Sequence, residues 1–163
     1  MKSIECEDQD AFAIESYKRA QKAQESGAFD AERFEVKVVG RKGEATMVRD
    51  DEELSKAQFD RIPTLKPVFE KDGTVTAANA SSLNDGAAAL LLMSESKAKE
   101  LGVTPLAKLH SHASAAQAPE WFTTTPSLAI PKALQRAGLQ TSDIDLFEIN
   151  EAFSVVSLAN NQL

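Results

Sequence analysis

The chain has 163 residues, of which 42% are hydrophobic, and a formal net charge of −7 at pH 7. Nucleic acids and anionic membrane surfaces both require clustered Lys and Arg, and the sequence has no basic run, so we expect neither as a partner. The longest apolar run, residues 87–93, is much shorter than the roughly 20 residues that a membrane-spanning helix needs.

The first eighty residues predict a helix, a hairpin and a surface loop, in that order. Helical spacing of apolar residues over 8–27, followed by Gly27, predicts a helix that begins at an aspartate cap. Residues 34–48 alternate apolar and polar side chains around the turn sequence GRKG and predict a β-hairpin. The charged, proline-containing stretch 50–73 predicts mostly loop, in which residues 51–53 are a solvated acidic face or a helix start.

The second half of the chain predicts alternating strands and helices. Three stretches have strand character, namely 87–94, 105–114 and 141–150. Ser94 is the predicted N-cap of one helix, with Gly102 as its end. A second helix is expected to start near Pro126 and end at Gly138, and a third to follow Glu151, with Pro131 bending or delaying the second. This alternation is typical of an α/β fold with a parallel or mixed sheet.

The sequence has one cysteine and two histidines. Cys6 cannot form an internal disulfide, which suits a reducing compartment. Its neighbours Glu5 and Glu7 raise the pKa of a thiol, so Cys6 is a poor nucleophile. His110 and His112 lack a nearby ligand cluster, and since zinc normally takes three or four protein ligands we expect no metal site.

Two segments have a composition that suits a binding site. The residues in TAANASS have little side-chain bulk, so a ligand can approach the backbone closely; tight helix-to-sheet packing is the alternative interpretation. Asn150 lies between a predicted strand and a predicted helix, where α/β enzymes place catalytic groups, and it is also a good helix N-cap. No glycine-rich nucleotide motif is present.

Two longer motifs carry a resemblance to a known family. GTVTAANASSLNDGAAALLLMSESKAKELGVTPLAKL (residues 73–109) and LFEINEAFSVV (residues 146–156) resemble the thiolase family, and within it the biosynthetic type with acetyl-CoA C-acetyltransferase activity. Residues 7–30 and 61–81 are similar to the loop domain of that enzyme. The resemblance implies an α/β, thiolase-like fold fragment: a loop domain plus incomplete βαβ halves. The implied domains are a coenzyme A-binding loop domain (1–83), the end of the N-terminal half (84–103) and the start of the C-terminal half (104–163).

The resemblance also implies a reaction and a set of site residues. Thiolases join two acetyl-CoA molecules into acetoacetyl-CoA, or run the reverse thiolysis, through an acyl-cysteine. Asn150 matches the family asparagine that holds a water molecule of the oxyanion hole. Lys56 and Arg61 match positions that meet the adenine and phosphate end of coenzyme A. The pantetheine arm would lie along Ala77, Ala78, Ala80 and Ser81.

Departures from the family pattern limit what this polypeptide can do. The potassium-activated type has Tyr where this chain has Phe12, so we expect no potassium activation; coenzyme A is a substrate, and no cofactor is implied. Cys6 does not match the nucleophile motif, and neither the G-H-P histidine nor the second cysteine is present. We therefore expect a catalytically inactive fragment of a longer enzyme. The alternative is a non-catalytic fragment that binds coenzyme A or modulates an intact subunit.

The resemblance implies partners and a compartment as well. The expected partners are acetyl-CoA or coenzyme A, and either further copies of the chain, as in the family tetramer, or an intact thiolase subunit. The cytoplasm is the expected location, with the mitochondrial matrix or the peroxisome as alternatives.

Overall fold

The computed structural model describes residues 3–163, which divide into two compact units: residues 3–81 with 152–154, and residues 82–151 with 155–163. Helix α1 (Cys6–Glu25) opens the first unit. It starts earlier than predicted, because Glu5 and Asp8 form a capping box in which Glu5 N–H donates to the Asp8 carboxylate at 3.1 Å. It ends as predicted, with Gly27 in the left-handed region.

The predicted hairpin is confirmed. Strands β1 (Val36–Val39) and β2 (Ala45–Val48) pair antiparallel, with Val36 opposite Val48. Every residue of both strands is exposed, so the alternation in the sequence does not mark a buried face. At the base of the hairpin, Arg33 forms ion pairs with Asp30 at 2.6 Å and with Asp50 at 2.9 Å. These two contacts join the end of β2 to the turn that follows α1.

The stretch predicted as mostly loop contains two short helices. Helix α2 (Glu53–Lys56) confirms the helix start suggested by the acidic residues, and a 3₁₀ helix (Phe59–Thr64) follows it. Both contact α1: the Gln21 side chain donates to Leu54 O at 2.7 Å, and the ring of Tyr17 meets that of Phe59 edge to face. These contacts hold the 53–64 segment against the long helix.

The remaining helices are short. They are α3 (Glu95–Leu101), a 3₁₀ helix (Pro119–Thr124), α4 (Pro126–Ala137), a 3₁₀ turn (Thr141–Asp143) and α5 (Ser154–Asn160). The predicted cap of α3 is confirmed, since Ser94 Oγ accepts from Lys97 N–H at 3.2 Å. Gly102 and Gly138 follow α3 and α4 with φ of +65° and +70°, a conformation that side chains disfavour, and both predicted helix ends are therefore confirmed.

Helices α4 and α5 are joined through one side chain. Pro126 is the first residue of α4, as predicted, but the side chain of Thr125 forms no capping hydrogen bond. Instead, the side-chain oxygen of Asn160 accepts from Ser127 N–H at 2.9 Å. The side-chain NH₂ of Asn160 donates to Thr123 O at 2.7 Å. Helix α4 runs through Pro131 without starting later.

The three strands predicted in the second half are absent. Residues 87–94 and 105–114 form no strand, and residues 141–150 form a 3₁₀ turn and then an irregular segment. Among residues 3–163 the only sheet is the two-stranded hairpin, so no neighbouring strand pairs with these segments. Many of their apolar side chains are correspondingly exposed, with Leu90 88% accessible. No helix in the described part of the chain is long and apolar enough to span a membrane.

Candidate functional site

The segment of small residues pairs with the segment that follows Asn150 in the sequence. We call residues 77–81 the small-residue loop. Ala80 and Phe153 form an antiparallel bridge, flanked by hydrogen bonds from Ser81 N–H to Ala152 O and from Ser154 N–H to Asn79 O, both of 2.9 Å. The bridge brings together parts of the two sequence motifs that lie far apart along the chain.

The polar side chain of Asn79 is buried beneath this loop. Its carbonyl oxygen accepts from Thr76 N–H at 2.9 Å, and its amide donates to Asp10 Oδ1 at 3.0 Å and to Thr74 O at 3.1 Å. Asn79 and Asp10 are 3% and 6% exposed. Since buried polar groups are costly without partners, these bonds fix the loop against α1.

Gln9 and Cys6 extend the buried network along α1. Gln9 is fully buried and donates to Thr74 Oγ1 at 2.8 Å, while its side-chain carbonyl oxygen has no hydrogen-bond partner among residues 3–163. The Cys6 thiol lies 3.5 Å from Thr74 O and 3.9 Å from Asp10 Oδ2. Burial, followed by the charges of Asp10 and Glu7, raises the pKa of Cys6. The predicted direction is confirmed, but the main cause is burial rather than the flanking carboxylates.

The four predicted pantetheine contacts lie on this loop with different exposure. Ala77 and Ser81 are exposed, whereas Ala78 and Ala80 are half-buried. Residues 82–93, just after the loop, are irregular, and the next helix, α3, begins only at Glu95. No sheet covers the loop within residues 3–163, so the alternative of helix-to-sheet packing is wrong there. Any ligand contact therefore involves the loop itself and not a helix N-terminus.

The two predicted phosphate-binding cations differ in their surroundings. Lys56 forms ion pairs with Glu53 at 2.8 Å and Glu52 at 3.0 Å, and hydrogen bonds to these two carboxylates raise the pKa of Lys56. Arg61 donates to the neutral side chain of Gln58 at 3.2 Å and forms no ion pair within the described chain. Arg61 therefore has an uncompensated positive charge, and Lys56 does not.

Asn150 is exposed and precedes the bridge segment by two residues. The prediction that it caps the last helix is wrong, because α5 begins only at Ser154. The helix starts late because residues 152–154 form hydrogen bonds with the small-residue loop. The side chain of Asn150 is thus not used as the cap that its sequence position suggested.

The two histidines lie apart from any cluster of potential metal ligands within residues 3–163. His110 and His112 are exposed and lie outside any strand, and Arg136 donates to the backbone oxygen of His112 at 2.7 Å. Across residues 3–163 no three side chains of His, Cys, Asp or Glu come together as metal ligands would.

Asp10 and Asn79 are the residues that sequence reasoning missed. In the sequence Asp10 indicates only a possible helix cap, and Asn79 stands among small residues without a motif of its own. A signal was present: Gln9 and Asp10 precede Ala13 by four and three residues, so these polar side chains lie on the same helix face as a buried alanine.

Comparisons with known proteins agree with the motifs. The sequence matches the family model of the thiolase N-terminal domain over residues 1–96 and that of the thiolase C-terminal domain over residues 103–163. It is 58% identical over 157 residues to a probable acetyl-CoA acetyltransferase of Dictyostelium discoideum, covering 96% of this chain and 38% of the relative. It is 56% identical over 162 residues to an acetyl-CoA acetyltransferase of Schizosaccharomyces pombe, covering 99% of this chain and 41% of the relative.

The fold agrees as well. The crystal structure of the Bacillus anthracis acetyl-CoA acetyltransferase superposes with a TM-score of 0.90 at 41% identity, covering 98% of this chain and 40% of that one. The chain thus spans about two fifths of the length of the relatives it matches. Both family models, the fold and the paired motifs lead to the same assignment: the chain belongs to the thiolase family.

Proposed function

We propose that this chain is part of a biosynthetic thiolase, an acetyl-CoA C-acetyltransferase that joins two acetyl-CoA molecules into acetoacetyl-CoA and free coenzyme A. The observation that best supports this proposal is the antiparallel bridge between Ala80 and Phe153. It ties the loop proposed to receive coenzyme A to the segment that follows the proposed catalytic Asn150. The names of the relatives from Dictyostelium and fission yeast support the same activity.

The proposed coenzyme A site combines the backbone of the small-residue loop with one cation, Arg61, which has no ion-pair partner among residues 3–163. The exposed side chains of Ala77 and Ser81 leave room for the pantetheine arm along the loop, with Ala78 and Ala80 beside them. Arg61 is the stronger of the two phosphate contacts, because a guanidinium forms short, charge-assisted hydrogen bonds to phosphate oxygens. Lys56 contributes less, since Glu52 and Glu53 already compensate its charge.

Asn150 is proposed to hold the water molecule of the oxyanion hole, where a donor stabilises the negative charge that develops on the thioester oxygen. Its exposed side chain, free of the helix-capping role, supports this proposal. No further cofactor is invoked, and the half-buried Phe12 offers no oxygen to a potassium ion.

A second candidate is a non-catalytic role in coenzyme A binding or subunit modulation. The observation that favours it for this polypeptide is Cys6, the only cysteine of the 163 residues, whose raised pKa keeps it protonated near neutral pH. We infer that the polypeptide by itself binds coenzyme A without turnover. It would act with further copies or with an intact thiolase subunit, in the cytoplasm or, as the name of a zebrafish relative suggests, in mitochondria.

Calorimetric titration with coenzyme A tests the binding proposal. We expect the unsubstituted chain to bind, and Arg61→Gln to weaken binding by about tenfold, which corresponds to the loss of one charge-assisted hydrogen bond. Lys56→Gln is the matched control, and because its charge is already paired we expect less than about a threefold change.

The same samples are assayed for thiolysis of acetoacetyl-CoA by the loss of its enolate absorbance. We expect no turnover above background. Absence of coenzyme A binding would overturn the binding role. Turnover by the isolated chain would contradict the inference that it lacks the nucleophile, and Cys6→Ala would then show whether that thiol is responsible.

A further inference from the structure

We propose that Asn79, held by Asp10, is the positioning residue of the small-residue loop: it sets the loop backbone along which coenzyme A is proposed to bind. The inference rests on the proposed function only for the identity of the ligand, coenzyme A. The part that concerns the conformation of the small-residue loop depends only on the contacts of Asn79.

The hydrogen bonds of Asn79 require an amide at this position. The side chain accepts one bond, from Thr76 N–H, and donates two, to Asp10 Oδ1 and to Thr74 O. A carboxylate can accept but cannot donate, and an apolar side chain can do neither. With Asn79 only 3% exposed, no water reaches the site easily to replace a lost bond.

The backbone of Asn79 connects the loop to the last helix. Its carbonyl oxygen accepts from the N–H of Ser154, the first residue of α5, at 2.9 Å. The next two residues, Ala80 and Ser81, pair with Phe153 and Ala152. A shift of Asn79 therefore disturbs both the proposed ligand-binding backbone and the segment that follows Asn150.

Asp10 anchors this arrangement to α1. It lies in the first half of the long helix, and its Oδ1 accepts from the Asn79 amide across 69 positions of sequence. The bond is charge-assisted and buried, so its loss leaves a carboxylate without its partner in a poorly hydrated place. Asp10 thus orients Asn79 without itself facing the proposed ligand.

Exchanging the two polar groups tests the proposal. Asn79→Asp puts a second carboxylate about 3 Å from Asp10, where the two charges repel. We expect amide hydrogens in peptides covering residues 74–81 and 152–156 to exchange at least about tenfold faster, and coenzyme A to bind about tenfold more weakly. In the double variant Asp10→Asn/Asn79→Asp an amide again faces a carboxylate, but Thr74 O still lacks its donor. We therefore expect partial recovery, with both quantities improved by at least about threefold over Asn79→Asp alone.

Ile62→Val is the control for general destabilisation. Ile62 is buried in the same unit and has no hydrogen bond to the loop, so this variant should lower stability while the exchange of residues 74–81 relative to the rest of the unit stays unchanged. If Asn79→Asp leaves exchange in the two peptides unchanged, or if exchange in the double variant is as fast as in Asn79→Asp, the positioning role is overturned. If the exchange rates change as expected but neither the unsubstituted chain nor any variant binds coenzyme A, the proposed function is overturned and the positioning role stands.

Discussion

The environment of Cys6 determines the chemistry of the one thiol in the chain. Its sulfur lies against the backbone oxygen of Thr74 and near the buried carboxylate of Asp10, and no cation within residues 3–163 pairs with it. Burial, followed by the charges of Asp10 and Glu7, raises the pKa of the thiol, and the folded protein therefore holds the thiol proton more tightly than the unfolded chain does.

The rate of alkylation by iodoacetamide measures this difference at Cys6. We expect the rate in the folded chain to inflect at a higher pH than in the urea-unfolded chain, and Asp10→Asn to move the inflection down, because it removes a nearby negative charge. As pH rises through the unfolded pKa, the unfolded state loses the thiol proton first, so the contribution of Cys6 to stability is complete below that pH and falls above it. An inflection at or below that of the unfolded chain would show that the thiol is not desolvated.

At the scale of single residues, sequence motifs identified candidate positions but not their contacts. Lys56 and Arg61 are equivalent cations in the sequence, and only the structure shows that two glutamates compensate the first. Asn150 is a good helix cap by type, yet α5 begins four residues later. Both outcomes depend on neighbours whose placement the local sequence does not specify.

At the scale of elements, Asn160 stabilises the ends of two helices. Its carbonyl oxygen takes the place of the missing Thr125 cap on α4, and its amide donates to Thr123 O and Val156 O, both at 2.7 Å. All of its bonding groups are used, which is the condition under which a partly buried amide stabilises rather than weakens packing.

Asn160→Ala should therefore lower the free energy of unfolding by about 1–3 kcal/mol, because it leaves the N–H of Ser127 and two carbonyl oxygens without their partners. Urea titration followed by circular dichroism measures the change. Asn161→Ala is the matched control, since Asn161 is exposed and, within residues 3–163, forms a hydrogen bond only through its backbone N–H. Equal effects of the two substitutions would show that the side-chain bonds of Asn160 contribute little.

The elements set by local chemistry were predictable, and those set by distant partners were not. The Ser94 cap and the glycines after α1, α3 and α4 act within one helical turn, so the sequence alone indicates them. The hairpin also closes through a short turn. A strand such as 87–94 needs a second chain segment for its hydrogen bonds, and no described segment lies beside it.

At the scale of the whole molecule, the chain exposes more surface than folded domains of its size do. Its accessible surface is 13365 Å², whereas two separate compact domains of half its mass would expose about 9,500 Å². Much of the excess is apolar, including the side chains of Leu90, Leu91, Leu92 and Leu106. Exposed apolar side chains in such number indicate an interaction surface.

We therefore expect the purified chain to self-associate in a concentration-dependent way, measured by sedimentation velocity. Leu91→Lys should shift the distribution toward the monomer, because it places a charge in the apolar run. Ser96→Lys adds the same charge on the exposed surface of α3 and should leave the distribution unchanged. A chain that sediments as a monomer at every concentration would contradict this expectation.

The bridge between Ala80 and Phe153 also limits the order in which contacts can form during translation. About seventy residues separate the two partners, so the small-residue loop leaves the ribosome well before the segment that completes its pairing. At bacterial or eukaryotic elongation rates of about 5–20 residues per second, that interval is about 4–15 s. During this time Asn79 can already bind Asp10, which is synthesised earlier, and we expect this bond to hold the nascent loop on α1 until residues 152–154 arrive.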